Sequence, residues 1–328
     1  MSTTAASSSL AADQPPKRPT VEHVADFVVQ QLEAHRAKHA GKGRAPPLVV
    51  GVQGPQGSGK SYLASLLPSF LAAPSRGSLR TATLSLDDLY LPHSGLASVA
   101  AAHPGNALLR GRGQAGTHDL PLGREVLSAL TAGGEEEVKI PVFEKSLHSG
   151  EGDRLPLSEW VRVARPEEVD VVVFEGWMLG FRPCASPSLA ELYTSAQADP
   201  EGEATRQKLG IDYAPPFLLQ HKLEDLQAVE DKLAEYTQLW DYVDCAVQIR
   251  PQRMGFVWEW RLEQEHNMKA KNGGIGMTDE QVKAFISRYM PGYEVWLKGL
   301  EDPRASWAGK GLRVVVDKGR AVAAIEKF

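Results

Sequence analysis

Residues 54–61 read Gly54-Pro-Gln-Gly-Ser-Gly-Lys-Ser61, a complete G-x-x-x-x-G-K-[ST] phosphate-binding loop. The apolar run Pro47-Leu-Val-Val-Gly-Val52 precedes it and an apolar-periodic stretch from Tyr62 to Leu71 follows, so the motif stands in the strand, loop, helix order it requires. Glycines at 54, 57 and 59 let the backbone curl until successive N–H groups face a polyphosphate at the positive end of the next helix. Gly54, Pro55, Gln56, Gly57, Ser58, Gly59, Lys60 and Ser61 are therefore expected to hold ATP or GTP. Lys60 would sit on the β and γ phosphates, and Ser61 would give its hydroxyl to a magnesium ion bridging the same oxygens. An ordinary glycine-rich turn with a solvated lysine would not match every position in register.

Phosphate loops serve switches, motors, transporters and small-molecule kinases, so other residues must separate these. The chain has 328 residues, 42% of them hydrophobic, enough for one large α/β domain or one domain with insertions. A net charge of −5 and a pI near 6.0 provide no basic field for nucleic acid, and no apolar run approaches a membrane span. A soluble, cytoplasmic protein with a small-molecule partner is the expectation, with oligomeric state left open. Cys184 and Cys245 are the only cysteines; they read as buried small hydrophobes in a reducing compartment, without metal-ligand spacing.

Residues 1–19, rich in Ser, Thr, Ala and Pro, read as a disordered tail, or alternatively as an organellar transit peptide. Thr20 is placed to cap an amphipathic helix with Val21, Val24, Val28 and Leu32 on its apolar face. From residue 20 to 328 a single domain is expected, with strands at Leu48 to Val52, Thr81 to Leu86, Val138 to Phe143, Val169 to Phe174, Cys245 to Ile249 and Leu312 to Val316. Alternation of strands with helices argues a mostly parallel sheet covered on both faces, with ligands at the carboxyl ends of its strands. Residues 183–214, enriched in Ala, Ser, Pro and Glu, read as an insertion or divergent loop.

Strand ends therefore matter most. Ser85-Leu-Asp-Asp-Leu-Tyr-Leu-Pro-His93 puts two adjacent carboxylates after the second strand, where one can take a proton from a phosphoryl acceptor or merely cap a turn. Val171-Val-Val-Phe-Glu-Gly176 ends an apolar run in Glu175, a form of the second phosphate-loop signature with Glu for the more usual Asp, expected to hold magnesium or its water, or else a plain loop carboxylate. Two polar segments, Leu109 to Asp119 and Phe143 to Arg154, carry Arg110, Arg112, Lys145, His148 and Arg154, cations suited to an acidic acceptor. Further on, Phe256 to Met268 reads as a charged helix bearing Arg261 and leading into a glycine loop, a candidate lid; alternatively Trp258 and Trp260 only pack and Arg261 pairs with Glu265 at i+4. Thr278 with Gln281 fits a capping box for the next helix.

In order along Pro47 to Leu297, the phosphate loop, Ser85-Leu-Asp-Asp-Leu-Tyr90, Arg112-Gly-Gln-Ala-Gly-Thr-His-Asp119, Lys145-Ser-Leu-His-Ser-Gly-Glu-Gly-Asp-Arg154, Phe174-Glu-Gly-Trp177, Trp260-Arg-Leu-Glu-Gln-Glu265 and Arg288-Tyr-Met-Pro-Gly-Tyr293 resemble the D-glycerate 3-kinase group of plants and fungi. That group sits among the P-loop small-molecule kinases related to phosphoribulokinase, uridine kinase and pantothenate kinase. The resemblance implies an α/β fold of the P-loop nucleoside-triphosphate hydrolase type with a helical lid, and magnesium-dependent transfer of the ATP γ-phosphoryl group to the 3-hydroxyl of D-glycerate. It implies Asp87 as base and Arg261 as lid cation, with Ser61 and Glu175 on the metal. The substrate end is expected to draw on Asp88, Tyr90, His118, Asp119, Lys145, His148 and Arg154, Lys145 and Arg154 gripping the carboxylate. A related kinase with another acceptor, or an ATP-regulated binding protein, are the alternative readings.

Overall fold

The computed structural model describes residues 18–132, 136–271 and 273–328. The expected tail lies, up to residue 17, outside them. In chain order the strands are β1 (Leu48–Gln53), β2 (Thr81–Ser85), β3 (Glu137–Ile140), β4 (Phe143–Glu144), β5 (Asp153–Arg154), β6 (Val161–Ala164), β7 (Val171–Gly176), β8 (Cys245–Pro251), β9 (Gly311–Val316) and β10 (Val322–Lys327). Six of them form one sheet in the order β10-β9-β8-β1-β7-β2, parallel throughout except where β10 runs antiparallel to β9.

β1 and β7 are buried along their whole length, as parallel strands covered on both faces must be. Leu48, Val50, Val52, Val171 and Val173 face a core shared with the helices Thr20–Lys38 and Lys60–Leu71. Val49, Val172 and Phe174 face the opposite core, beneath the helices Leu120–Ala132 and Leu223–Leu233. Full burial of a leucine such as Leu67 or Leu127 contributes about 1.5–3 kcal/mol each, which holds both helical layers on the sheet.

Three expectations need correction. The strand expected over Val138 to Phe143 is not in the central sheet: β3 pairs with β6 and β4 with β5, each in a separate antiparallel ribbon. Only alternate residues of β3 are buried, the pattern of a ribbon packed on one face. Thr20 is the first helical residue, not the cap; Pro19 takes the cap position in extended geometry, while Val21, Val24, Val28 and Leu32 are buried as expected. Residues 183–214 hold two helices, Leu189–Ala198 and Glu203–Leu209, rather than a loop. Ser188 and Glu191 form a capping box, and Leu189, Leu192 and Ala196 recur at helical spacing on the buried side.

This region is fastened by Glu294 on the helix Met290–Val295. Its buried carboxyl accepts from Tyr213 Oη at 2.7 Å and from the backbone N–H groups of Phe217 and Leu218, both at 2.8 Å. Burial outweighs these donors and pushes the Glu294 carboxyl up to about 7 from the usual 4.5. Its contribution to stability is full below about pH 4.5 and is lost as pH rises through about 7, because the folded state then holds a proton the unfolded chain has released. Denaturant titrations at pH 5 and pH 8 should show that fall for the native chain and lose it in Glu294→Gln. Glu294→Ala, which strands the donors, should cost about 3 kcal/mol or more at either pH.

Candidate active site

β1 ends at Gln53 and the helix begins at Lys60, so the phosphate loop spans the gap between them. Gly57 and Gly59 have φ of 79° and 89°, and a Cβ on Gly57 would stand 2.5 Å from the Trp260 Cβ, which is why glycine is needed there. Arg320 Nε donates to the Gly57 carbonyl at 2.7 Å, and the Gln56 N–H donates to Tyr293 Oη at 3.2 Å, holding the loop from above.

Parallel register sets the loop's neighbours. Val52 stands opposite Glu175, Gln53 opposite Gly176, and Ser85 opposite Glu175. Glu175, only 6% exposed, accepts from Ser85 Oγ at 2.8 Å and forms an ion pair with Lys60, whose Nζ lies 3.4 Å from Ser61 Oγ. A hydroxyl and a carboxylate beside the phosphate loop are hard oxygen donors, the set that suits a magnesium ion arriving with nucleotide phosphates and most of its waters. Among the described residues no group of three or more His, Cys, Asp and Glu is placed to hold a metal by itself.

After β2, Ser85 Oγ accepts from the Asp87 N–H at 3.3 Å, so Ser85 caps the turn that carries both acids. The two then diverge. Asp87 forms an ion pair with Lys145; burial acts to raise its carboxyl, but Lys145 and Lys60 outweigh burial and hold it below the usual range. Asp88 Oδ1 accepts from the Phe143 N–H at 3.0 Å, and burial, with Asp87 and Glu175 nearby, pushes it up to about 6.

A cleft of about 880 Å³ joins the two ends. Lys60, Asp87, Tyr90, Arg112, Lys145, Trp177 and Tyr289 line it below, and Arg261, Gln264, Asn267 and Phe285 line it from the lid side. Of the residues expected at the substrate end, Tyr90 and Lys145 lie in this lining, while Asp88, His118, Asp119, His148 and Arg154 do not. Arg154 is committed behind the cleft, paired with Asp119 at 3.0 Å and donating to the Tyr90 carbonyl at 2.7 Å. His118 stacks beneath Tyr90 with ring centroids 4.4 Å apart. Its Nδ1 meets Tyr236 Oη at 2.7 Å, and burial lowers its pKa to about 3, so the ring is neutral. His148 stacks on His93 and reaches Asp153 at 3.1 Å on the exposed side of its loop.

The lid elements are tied together. Arg261 pairs with Glu265 at 2.8 Å and lies over the Phe285 ring at 5.2 Å. Glu265, 1% exposed, also accepts from the Met277 N–H at 2.8 Å, which fastens the helix Phe256–Lys271 to the turn before the helix Asp279–Ser287. The capping box of Thr278 and Gln281 is present, so packing of Trp260, the Arg261–Glu265 pair and exposure of Arg261 to the cleft all hold at once.

No family profile matches the chain. The structure superimposes on the solved D-glycerate 3-kinase of Cryptococcus neoformans var. grubii with a TM-score of 0.84 and 45% identity, covering 95% of this chain and 100% of that one. The chain belongs to the D-glycerate 3-kinase family. The chloroplastic D-glycerate 3-kinase of Arabidopsis thaliana is 36% identical over 295 residues, 88% of this chain; the chain spans 57% of that relative's length. A kinase of Schizosaccharomyces pombe is 35% identical over 301 residues, covering 92% of this chain and 97% of its own.

Within this D-glycerate 3-kinase family member, the cleft also contains residues the sequence reading left out of the site. Trp177 follows directly on Glu175-Gly176, so its place at a strand end was available as a signal. Tyr289 lies in the block Arg288-Tyr-Met-Pro-Gly-Tyr293, at the start of the helix Met290–Val295, whereas Arg320, from the turn between β9 and β10, carried no signal. Lys60→Ala removes the cation that pairs with Glu175 beside the loop, and calorimetric titration should find ATP binding weaker by roughly 10- to 100-fold. Unchanged affinity would overturn the assignment of the loop.

Proposed function

We propose that the protein transfers the γ-phosphoryl group of ATP to the 3-hydroxyl of D-glycerate, giving 3-phospho-D-glycerate and ADP. The observation that carries this reading is Asp87, a charged carboxylate lining the same cleft as the phosphate loop, in a chain of this family. The phosphate loop holds ATP through its N–H groups, and Lys60 leaves Glu175 to lie along the β and γ phosphates. Asp87 orients the acceptor hydroxyl and takes its proton as the new O–P bond forms and the bond from the γ phosphorus to the bridging oxygen breaks. Magnesium, held by Ser61 and Glu175, would neutralise charge on the phosphate oxygens. Arg261 closes from above and the lid excludes water, favouring transfer over hydrolysis. Asp88, bonded to the Phe143 N–H, holds β4 and hence Lys145 in place and does not act as the base. Two free cysteines suit a reducing compartment such as the cytoplasm.

ADP release with magnesium and ATP, measured with D-glycerate, L-glycerate, uridine, pantothenate and no acceptor, tests the reading. Stimulation by D-glycerate alone, with the product a 3-phosphate by NMR, is the expected result. Stimulation by another acceptor would keep the chemistry and replace the substrate, and slow hydrolysis indifferent to acceptors would favour an ATP-regulated binding protein. Asp87→Asn should lower kcat by roughly 10²–10⁴-fold with ATP affinity nearly intact. Normal turnover in that variant, with loss in Asp88→Asn, would move the base to Asp88.

A further inference from the structure

The cations around the cleft are not equivalent. Lys60 pairs with Glu175, Lys145 with Asp87, Arg261 with Glu265 and Arg320 with Glu263. Arg112 has no carboxylate partner among the described residues. Its Nη1 donates to the backbone carbonyls of Gly150, at 2.7 Å, and Glu151, and its guanidinium lies over the Phe143 ring at 5.8 Å. These contacts orient the fork without neutralising it. The loop is shaped around it: Gly152 has φ +83°, and a Cβ there would meet Phe143 at 2.3 Å and Arg112 Nη1 at 3.1 Å. Lys271, which also lines the cleft and has no ion pair among the described residues, is exposed on the lid helix instead.

Arg112 stands at the acceptor end, where its charge acts on Lys145, Tyr90 and Tyr289. A second unspent donor lies in the same wall. Trp177 is 4% exposed, its six-membered ring packs so close to Gly292 that a Cβ there would stand 3.0 Å from Cζ3, and among the described residues its Nε1–H has no partner. Buried N–H groups are rarely left unpaired without a reason such as a ligand.

We propose that Arg112 binds the carboxylate of the acceptor, with the Trp177 N–H donating to the same molecule, and that this pair restricts the site to hydroxy acids. The inference rests on the kinase reading above. A planar guanidinium matches a carboxylate through parallel charge-assisted hydrogen bonds, whereas Arg154, already neutralised by Asp119, has no such capacity left.

The test compares D-glycerate with glycerol, its counterpart without the carboxylate. Arg112→Met should raise the KM for D-glycerate by roughly 10- to 100-fold and reduce the preference for D-glycerate over glycerol by a similar factor, leaving the KM for ATP within about 3-fold. Arg112→Lys should recover part of both, which separates loss of the charge from loss of the fold. Trp177→Phe, which keeps a six-membered aromatic ring but removes the N–H with the rest of the indole, should raise the D-glycerate KM while leaving the KM for ATP within about 3-fold. Unchanged D-glycerate KM and unchanged preference in folded Arg112→Met would overturn the proposal, and an unchanged KM in Trp177→Phe would remove its indole component. If the native chain uses another hydroxy acid, the D-glycerate reading falls, and Arg112 is judged by the same comparison of that acid with its neutral alcohol. A native preference for a neutral acceptor, or use of none, overturns both.

Discussion

The site depends on one constraint, the parallel register of β1, β7 and β2, which stands Val52 and Ser85 on either side of Glu175. An acid 6% exposed at the end of a fully buried strand must be compensated, because an isolated buried charge is strongly unfavourable. Compensation comes from both neighbouring strand ends: Lys60 from the loop after β1 and Ser85 from β2. A slip of one residue in either pairing would turn Glu175 toward a hydrophobic face and undo the loop, the pairing of Glu175 with Lys60 and the acid turn together.

The same logic of paired charge runs along the cleft. Lys145 holds Asp87 ionised, while Asp88, one residue on, is turned to a backbone N–H and pushed up to about 6. Adjacent acids acquire different chemistry because the turn capped by Ser85 sends their side chains to different surroundings. On the lid, Glu265 neutralises Arg261 and binds the Met277 N–H, so one buried carboxylate both holds the cation over the cleft and joins the two lid helices.

Much of this was legible along the chain. A phosphate loop in strand, loop, helix context, an acid turn after β2 and Glu175 at the end of β7 are local patterns, and the structure gathers them at one sheet edge as parallel α/β topology requires. Substrate-end residues were harder. Arg154 and His148 are basic residues in the right segment, yet one is spent on Asp119 and the other reaches Asp153 outside the cleft lining. The β3 region read as a sheet strand because a short apolar run does not disclose which partner it will pair with. The helices at 189–198 and 203–209 were hidden by a composition that resembles a loop, although the spacing of Leu189, Leu192 and Ala196 was helical.

The sequence by itself determined the phosphate loop, the alternation that builds a parallel sheet, and the order in which acidic and basic blocks reach its carboxyl edge. These are properties of spacing along the chain, and local backbone geometry enforces them. Only the tertiary structure decided which charges are free. Lys145, Arg154 and Arg112 are alike as cationic residues in the sequence, and what separates them is whether Asp87, Asp119 or only two backbone carbonyls and a phenyl ring stand within reach. Neutralisation falls off with distance in space, and residues 35 or more apart in the chain meet only once the fold has closed.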